Sequence, residues 1–253
     1  MNNNLYMSTL LKAFDILDCF DDDKQEMGIS DISARVGLPA SSVHRIIQSL
    51  EFEGLLSQNQ ESKKYALGSK MLAYSQKCGQ YQQYQKIAAK YVDQLCRTVE
   101  ENVNLATCSG DQIANVYTAE THFVLRPNFP LYKPFPAHCT GVGRVFLSHM
   151  SEAAQKWVYD NNADAIRMTQ EEFLAMLRKA RKDGYALDDQ AFSAGLRCVA
   201  APIYLYGNKL LFALSVSAPA ARMDDASYER ARQLVLKYAD LISQEIQAAE
   251  FRF

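Results

Sequence analysis

The chain has no apolar run approaching the roughly 18 residues that a membrane span requires. Its first twenty residues, MNNNLYMSTLLKAFDILDCF, carry neither a basic leader nor a small-residue cleavage site. Membrane-spanning and secreted classes are set aside, and a cytoplasmic chain is expected. Closely spaced cysteines are also missing. Cys19, Cys78, Cys96, Cys108, Cys139 and Cys198 are scattered, with Cys96 and Cys108 the nearest pair, which fits neither a disulfide framework nor a zinc knuckle. Nor is there an excess of either charge: 27 Lys and Arg against 29 Asp and Glu leave a formal net charge of −2. That balance says nothing for or against a nucleic-acid face, so charge has to be read locally. What remains is a 253-residue chain, 48% hydrophobic and 22% charged, suited to packed cores and long enough for two domains.

Leu10, Leu11, Phe14 and Leu17 recur at helical spacing and predict an amphipathic helix over about residues 8–20, ended by Asp21-Asp22-Asp23-Lys24. In ISDISARVG, Ser30 or Asp31 can accept the free amides of a helix start, Ile32 and Val36 form a short apolar stripe, and Gly37 closes the helix. Pro39 opens a second helix. Its Val43, Ile46, Ile47 and Leu50 share a buried face, Ser41, Ser42, His44, Arg45 and Gln48 face outward, and Gly54 caps it. Hydroxyls, an imidazole, a guanidinium and an amide on the second of two short helices are the groups that base edges and phosphates call for. Leu55-Leu56-Ser57 and Lys64-Tyr65-Ala66-Leu67 predict a hairpin whose cations sit near its turn, which completes a winged helix-turn-helix. From Arg35 to Lys70, the five cations Arg35, Arg45, Lys63, Lys64 and Lys70 oppose the three anions Glu51, Glu53 and Glu61, a weakly positive footprint. The candidate DNA contacts are Ser30, Arg35, Ser41, Ser42, His44, Arg45, Gln48, Lys63 and Lys64; the alternative is a helical unit used for protein contact.

Residues 69–101 predict two polar helices interrupted at Gly79, with the Tyr and Gln of GQYQQYQ assigned to a dimer contact. VNLATCS and QIANVYTA flank Gly110-Asp111 as a hairpin. A helix over about 170–182, strands in CVAAPIYLY and KLLFALSVSA, and a long helix over about 224–250 follow. This mixed order predicts an α+β domain with an antiparallel sheet. In KLLFALSVSA, alternation sends Leu210, Phe212, Leu214 and Val216 to one face and Leu211, Ala213, Ser215 and Ser217 to the other. The second face suits either solvent or a ligand pocket. Thr140 before Gly141-Val142-Gly143 marks a helix start whose amides can hold a carboxylate, and this stretch lacks the full dinucleotide pattern. Asp188 reads as a turn former or a ligand acceptor, and Cys198 as core or a pocket wall. A catalytic reading, with Cys139 or Cys198 as nucleophile and His138 or His122 as base, finds no supporting spacing. The same is true of a zinc site from His138, Cys139, His149 and Cys198.

Two groups of segments carry a resemblance. GISDISARVGLPASSVHRIIQSLEFEGLLSQNQESKKYALG resembles the DNA-binding domain of the IclR family of bacterial transcriptional regulators, matching its usual pattern at Pro39, Ser41, Val43, His44 and Arg45 and departing from it at Ala40 and Ser42. PAHCTGVGRVFL, GYALDDQAFSAGLRCVAAPI and ALSVSAP resemble, in order, the three signature segments of the family's GAF-like effector-binding domain, with departures at Cys139 and Arg144. The resemblance implies a winged helix-turn-helix at 1–70, a linker helix at 71–84 and a GAF-like domain at 85–253. It places Gly141, Val142, Asp188, Cys198, Ser215 and Ser217 around an effector, beside Thr140 from the helix-start reading. The expected protein is a regulator, not an enzyme, with no cofactor and no metal. It would bind double-stranded, pseudo-palindromic operator DNA as a homodimer or homotetramer, under control of a small organic acid or sugar acid. The alternatives are a ligand-sensing module acting through protein partners, or a Cys-dependent enzyme on a small acid.

Overall fold

A row of buried side chains, Ile32, Val43, Ile46, Ile47 and Leu50, organises the amino-terminal part of the computed structural model, which describes residues 3–21 and 24–250 and divides into units 1–80 and 81–253. In the first unit the row joins helices α1 (Asn3–Leu17), α2 (Ile29–Val36) and α3 (Ala40–Phe52). A hairpin of β1 (Leu56–Gln58) and β2 (Tyr65–Leu67) and a short α4 (Lys70–Lys77) follow. Glycine makes the two sharp exits possible. Gly37 at φ 66° lets the Leu38 amide reach back to the Ser33 carbonyl, and Gly54 at φ 73° does the same for Leu55 and Leu50.

Three local expectations change. α1 ends at Leu17, before the acidic run; Asp22 and Asp23 lie outside the described residues. The helix has two apolar faces, and the one carrying Ala13, Ile16 and Leu17 covers the core, which leaves Leu10, Leu11 and Phe14 exposed. α2 starts after Gly28, so Ser30 lies inside its first turn, and Asp31 accepts from the Gly28 amide at 3.4 Å. Pro39 stands one position before α3 as its cap residue.

The second unit begins with α5 (Gly79–Val99), then β3 (Asn102–Ser109), β4 (Gln112–Ala119) and β5 (Pro134–Pro136). The helices α6 (Gly141–Leu147), α7 (Glu152–Asn161) and α8 (Gln170–Asp183) come next, then β6 (Ala186–Asp189), β7 (Leu196–Tyr204), β8 (Leu210–Pro219) and α9 (Asp225–Glu250). The six strands form one antiparallel sheet in the order β5-β4-β3-β8-β7-β6. One face packs Val103, Leu105, Phe212, Leu214 and Val216 against α5 and α9; the other packs Ala106, Ile113, Ala200 and Ala213 against α6 and α8. Each fully buried large aliphatic side chain contributes roughly 1.5–3 kcal/mol. Among the described residues, no helix is long and apolar enough to cross a membrane.

The alternation expected in β8 holds from Phe212 to Val216 and fails at its start. Ile203 pairs with Phe212 but Tyr204 pairs with Leu210, so Leu211 is an extra residue in the strand. The bulge turns Leu210 toward the α6 side and Leu211 toward the α5 and α9 side, the reverse of strict period two. Two tyrosines of the GQYQQYQ stretch also pack within their own chain. Tyr81 meets Phe212 edge-on at 4.8 Å, and the Tyr84 hydroxyl donates to Glu250 at 3.2 Å. The helix α7 was not anticipated.

Gly143 fixes how closely α6 lies on the turn before it, since a Cβ there would stand 2.1 Å from the Ala137 carbonyl oxygen. Gly143→Ala is expected to lower unfolding free energy by about 2–3 kcal/mol or more in thermal or denaturant melts. Gly79→Ala, whose added Cβ meets open space, should leave the melt unchanged.

Candidate ligand cavity and nucleic-acid face

The antiparallel register brings polar side chains of distant segments into two adjacent rows on the α6 face. Asp188 pairs with Cys198, which pairs with Ser217; Ser215 pairs with Asn104, which pairs with Thr118. The Asn104 amide donates to Ser217 Oγ at 3.3 Å and accepts from the Thr118 hydroxyl at 3.1 Å. Above the rows, Thr140 caps α6 by accepting from the Gly143 amide at 3.0 Å, while the Gly141 and Val142 amides, in the first turn, have no partner inside the helix. Phe129, Phe135 and Phe192 form a cluster with centroids 5.7–6.0 Å apart.

Together these groups line a small, partly open cavity. All seven residues read from the sequence, Thr140, Gly141, Val142, Asp188, Cys198, Ser215 and Ser217, line it. Sequence reasoning missed Asn104, Asn115, Ile113, Leu196 and the three phenylalanines. Asn104 and Asn115 were detectable as lone amides within apolar strands; the phenylalanines come from loops and a short edge strand without a local pattern.

Asp188 lies inside β6, where it is 2% exposed. Its Oδ1 accepts from the Ala191 and Phe192 amides at 2.7 and 3.3 Å, so it both anchors the following turn and faces the cavity. Burial pushes its carboxyl above the ordinary range, against the pull of those amides and of Arg144. Burial likewise pushes the Cys198 thiol up to about 11, although hydrogen bonds from Ser217 and Ser215 oppose the shift. Cys139 is also raised by burial. Neither sulfur is disposed to ionise as a nucleophile near neutral pH. Among the described residues, no group of three His, Cys, Asp or Glu side chains could hold a metal ion.

In the first unit, Ser41, His44, Arg45 and Gln48 are exposed along α3 and Ser42 is half-buried, opposite the buried face that carries Val43, Ile46, Ile47 and Leu50. Ser30 is exposed on α2, and Arg35 forms a surface ion pair with Asp21 at 3.0 Å. Lys63 and Lys64 are exposed at the hairpin tip. That tip is held from outside: Glu26 accepts from Asn59 and Ser62 at 3.0 and 3.2 Å.

Comparison with known proteins follows the same division. The family model described as the IclR helix-turn-helix domain matches residues 9–60, and the one described as Bacterial transcriptional regulator IclR C-terminal matches residues 79–244. The HTH-type transcriptional regulator XynR of Escherichia coli (strain K12) is 27% identical over 227 residues, 88% of this chain and 90% of that protein. The HTH-type transcriptional regulator KdgR of the same organism is 26% identical over 224 residues, 87% and 85%. A solved IclR homolog from Microbacterium hydrocarbonoxydans, complexed with 4-hydroxybenzoate, superposes with a TM-score of 0.75 at 19% identity, covering 95% of this chain and 99% of that one.

The raised Asp188 carboxyl sets a pH dependence. A group that binds its proton more tightly when folded costs stability above its folded pKa, and the cost disappears below its unfolded value of about 4. Asp188→Asn keeps the oxygen that the turn amides need and is expected to melt above the wild type at pH 7. That gap should close as the pH is lowered toward about 4 in a series of thermal melts.

Proposed function

The chain belongs to the IclR family of bacterial transcriptional regulators, with an effector-binding carboxy-terminal domain, and from that footing we propose that it binds operator DNA through α3 and the β1–β2 hairpin and releases or retains it according to a small acid held in the cavity. The bounds that fit this reading are the winged helix-turn-helix at 1–70, the linker at 71–84 and the effector domain at 85–253. The observation that carries it is the cavity. Seven residues from four separate segments meet there, and they include buried hydroxyls that an ordinary sheet core would exclude.

Ser215, Ser217 and the Gly141 and Val142 amides suit the oxygens of a carboxylate, while Asp188 suits a ligand hydroxyl. Because burial favours the protonated form of Asp188, it can also share a proton with an incoming carboxylate. A carboxylate effector agrees with the 4-hydroxybenzoate held by the Microbacterium homolog. On the DNA side, Ser41, His44, Arg45 and Gln48 reach base edges and backbone, with Ser30, Ser42, Arg35, Lys63 and Lys64 on flanking phosphates. A homodimer or homotetramer matches a two-fold operator. The protein acts in the cytoplasm and is not an enzyme, in keeping with its raised Cys139 and Cys198 thiols.

Two measurements test this. In footprinting against fragments upstream of its own and neighbouring genes, the protein is expected to protect a two-fold symmetric site with steep salt dependence, and Arg45→Ala to weaken binding roughly tenfold or more. In a thermal-shift screen of small carboxylates and sugar acids, a ligand at 100 times its Kd should stabilise by about 2.7 kcal/mol. Ser215→Ala and Asp188→Ala should abolish that shift. Operator affinity that no binding acid alters would refute the regulatory half of the proposal.

A further inference from the structure

A second recess of the carboxy-terminal unit is lined by His138, Cys139, Arg144, Arg167 and Gln190, with Phe192 common to it and the first cavity. Its lining holds two guanidinium groups and no carboxylate. Arg144 is only 8% exposed. Its Nε donates to the His138 carbonyl at 3.4 Å and its Nη1 to the Leu187 carbonyl. Asp188, whose Oδ1 holds the Ala191 and Phe192 amides, is the acidic group that acts on it. His138 is also 8% exposed, and its buried Nδ1 has no hydrogen-bond partner.

A purely structural role, tying α6 to β6, uses Nε and Nη1. It leaves the buried His138 nitrogen, which lines the same recess, without a partner. An orphaned buried nitrogen is costly unless a ligand or water meets it. Two arginines around one recess are suited to the planar or tetrahedral oxygens of an anion.

We propose that this recess is a second binding site, distinct from the effector cavity, for a small doubly charged oxyanion seated between Arg144 and Arg167. The shared chemistry is that of a phosphate group or a dicarboxylate. The claim stands apart from whichever acid the first cavity takes, because Ser215, Ser217 and Asp188 do not line the recess.

Titration calorimetry of the full chain at constant ionic strength, with inorganic phosphate in one arm and malonate in the other, tests it. At least one probe is expected to bind, with affinity reduced tenfold or more in Arg144→Gln and in Arg167→Ala and unchanged in Ser215→Ala. The tighter arm identifies the class of anion. Arg144→Gln removes a buried cross-link, and a melt will reveal any misfolding; Arg167 is exposed, so Arg167→Ala tests the site on an intact fold. The proposal is overturned if neither probe binds, if binding survives Arg167→Ala, or if Ser215→Ala is the variant that abolishes it.

Discussion

Burying a polar side chain without a partner costs about 1–3 kcal/mol, and the carboxy-terminal unit is arranged around a strip of sheet where that cost has to be met repeatedly. On the α5 and α9 face Val103, Leu105, Phe212, Leu214 and Val216 pack as a conventional core. On the opposite face the same strands present Asn104, Asn115, Ser215, Ser217 and Asp188, all nearly inaccessible. Asn104 bridges Ser217 and Thr118, and Asp188 takes two turn amides, so part of the demand is met internally. The remaining capacity faces the cavity. The cavity is therefore a region where the sheet gives up apolar packing for hydrogen-bonding groups.

The amino-terminal unit divides its labour across a single helix. Four aliphatic residues of α3 close the core, and the positions between them carry the exposed polar groups. Because both faces ride on one backbone, the packing that buries Ile47 also sets the direction of His44 and Arg45. Gly37 and Gly54 hold the two ends of this arrangement, and Glu26 steadies the hairpin tip that carries Lys63 and Lys64. Recognition surfaces built on regular elements in this way inherit their rigidity from the core behind them.

Legibility from sequence tracked how local the determining physics was. The helix α3 was readable because its stripe, its proline start and its glycine exit all lie within a few residues. β8 was readable from Phe212 onward, but the bulge at Leu211 depends on pairing with β7, which alternation cannot register. α1 misled because it is apolar on two sides, and only packing against α3 shows that Ile16 rather than Phe14 faces inward. Tyr81 and Tyr84 read as a dimer contact from their glutamine-rich surroundings, and their partners Phe212 and Glu250 lie too far along the chain for local sequence to register. Six of the seven cavity residues were recovered through motif resemblance, and Thr140 through its place before a helix start. The aromatic wall, assembled from segments about 60 residues apart, has no such signature.

Asp188 links the chemistry of the cavity to its shape. The same oxygen that faces the cavity holds the Ala191 and Phe192 amides, and Phe192 in turn packs on Phe129 and Phe135. A ligand that takes a hydrogen bond from a protonated Asp188, or gives one to its carboxylate, changes the charge on that oxygen and so the strength with which it holds the turn. Occupancy can bias a conformational equilibrium only through such a difference in interaction between two states. The turn after β6, held by that carboxylate oxygen together with the Gln190 and Leu196 backbone bonds, carries one of the three wall rings.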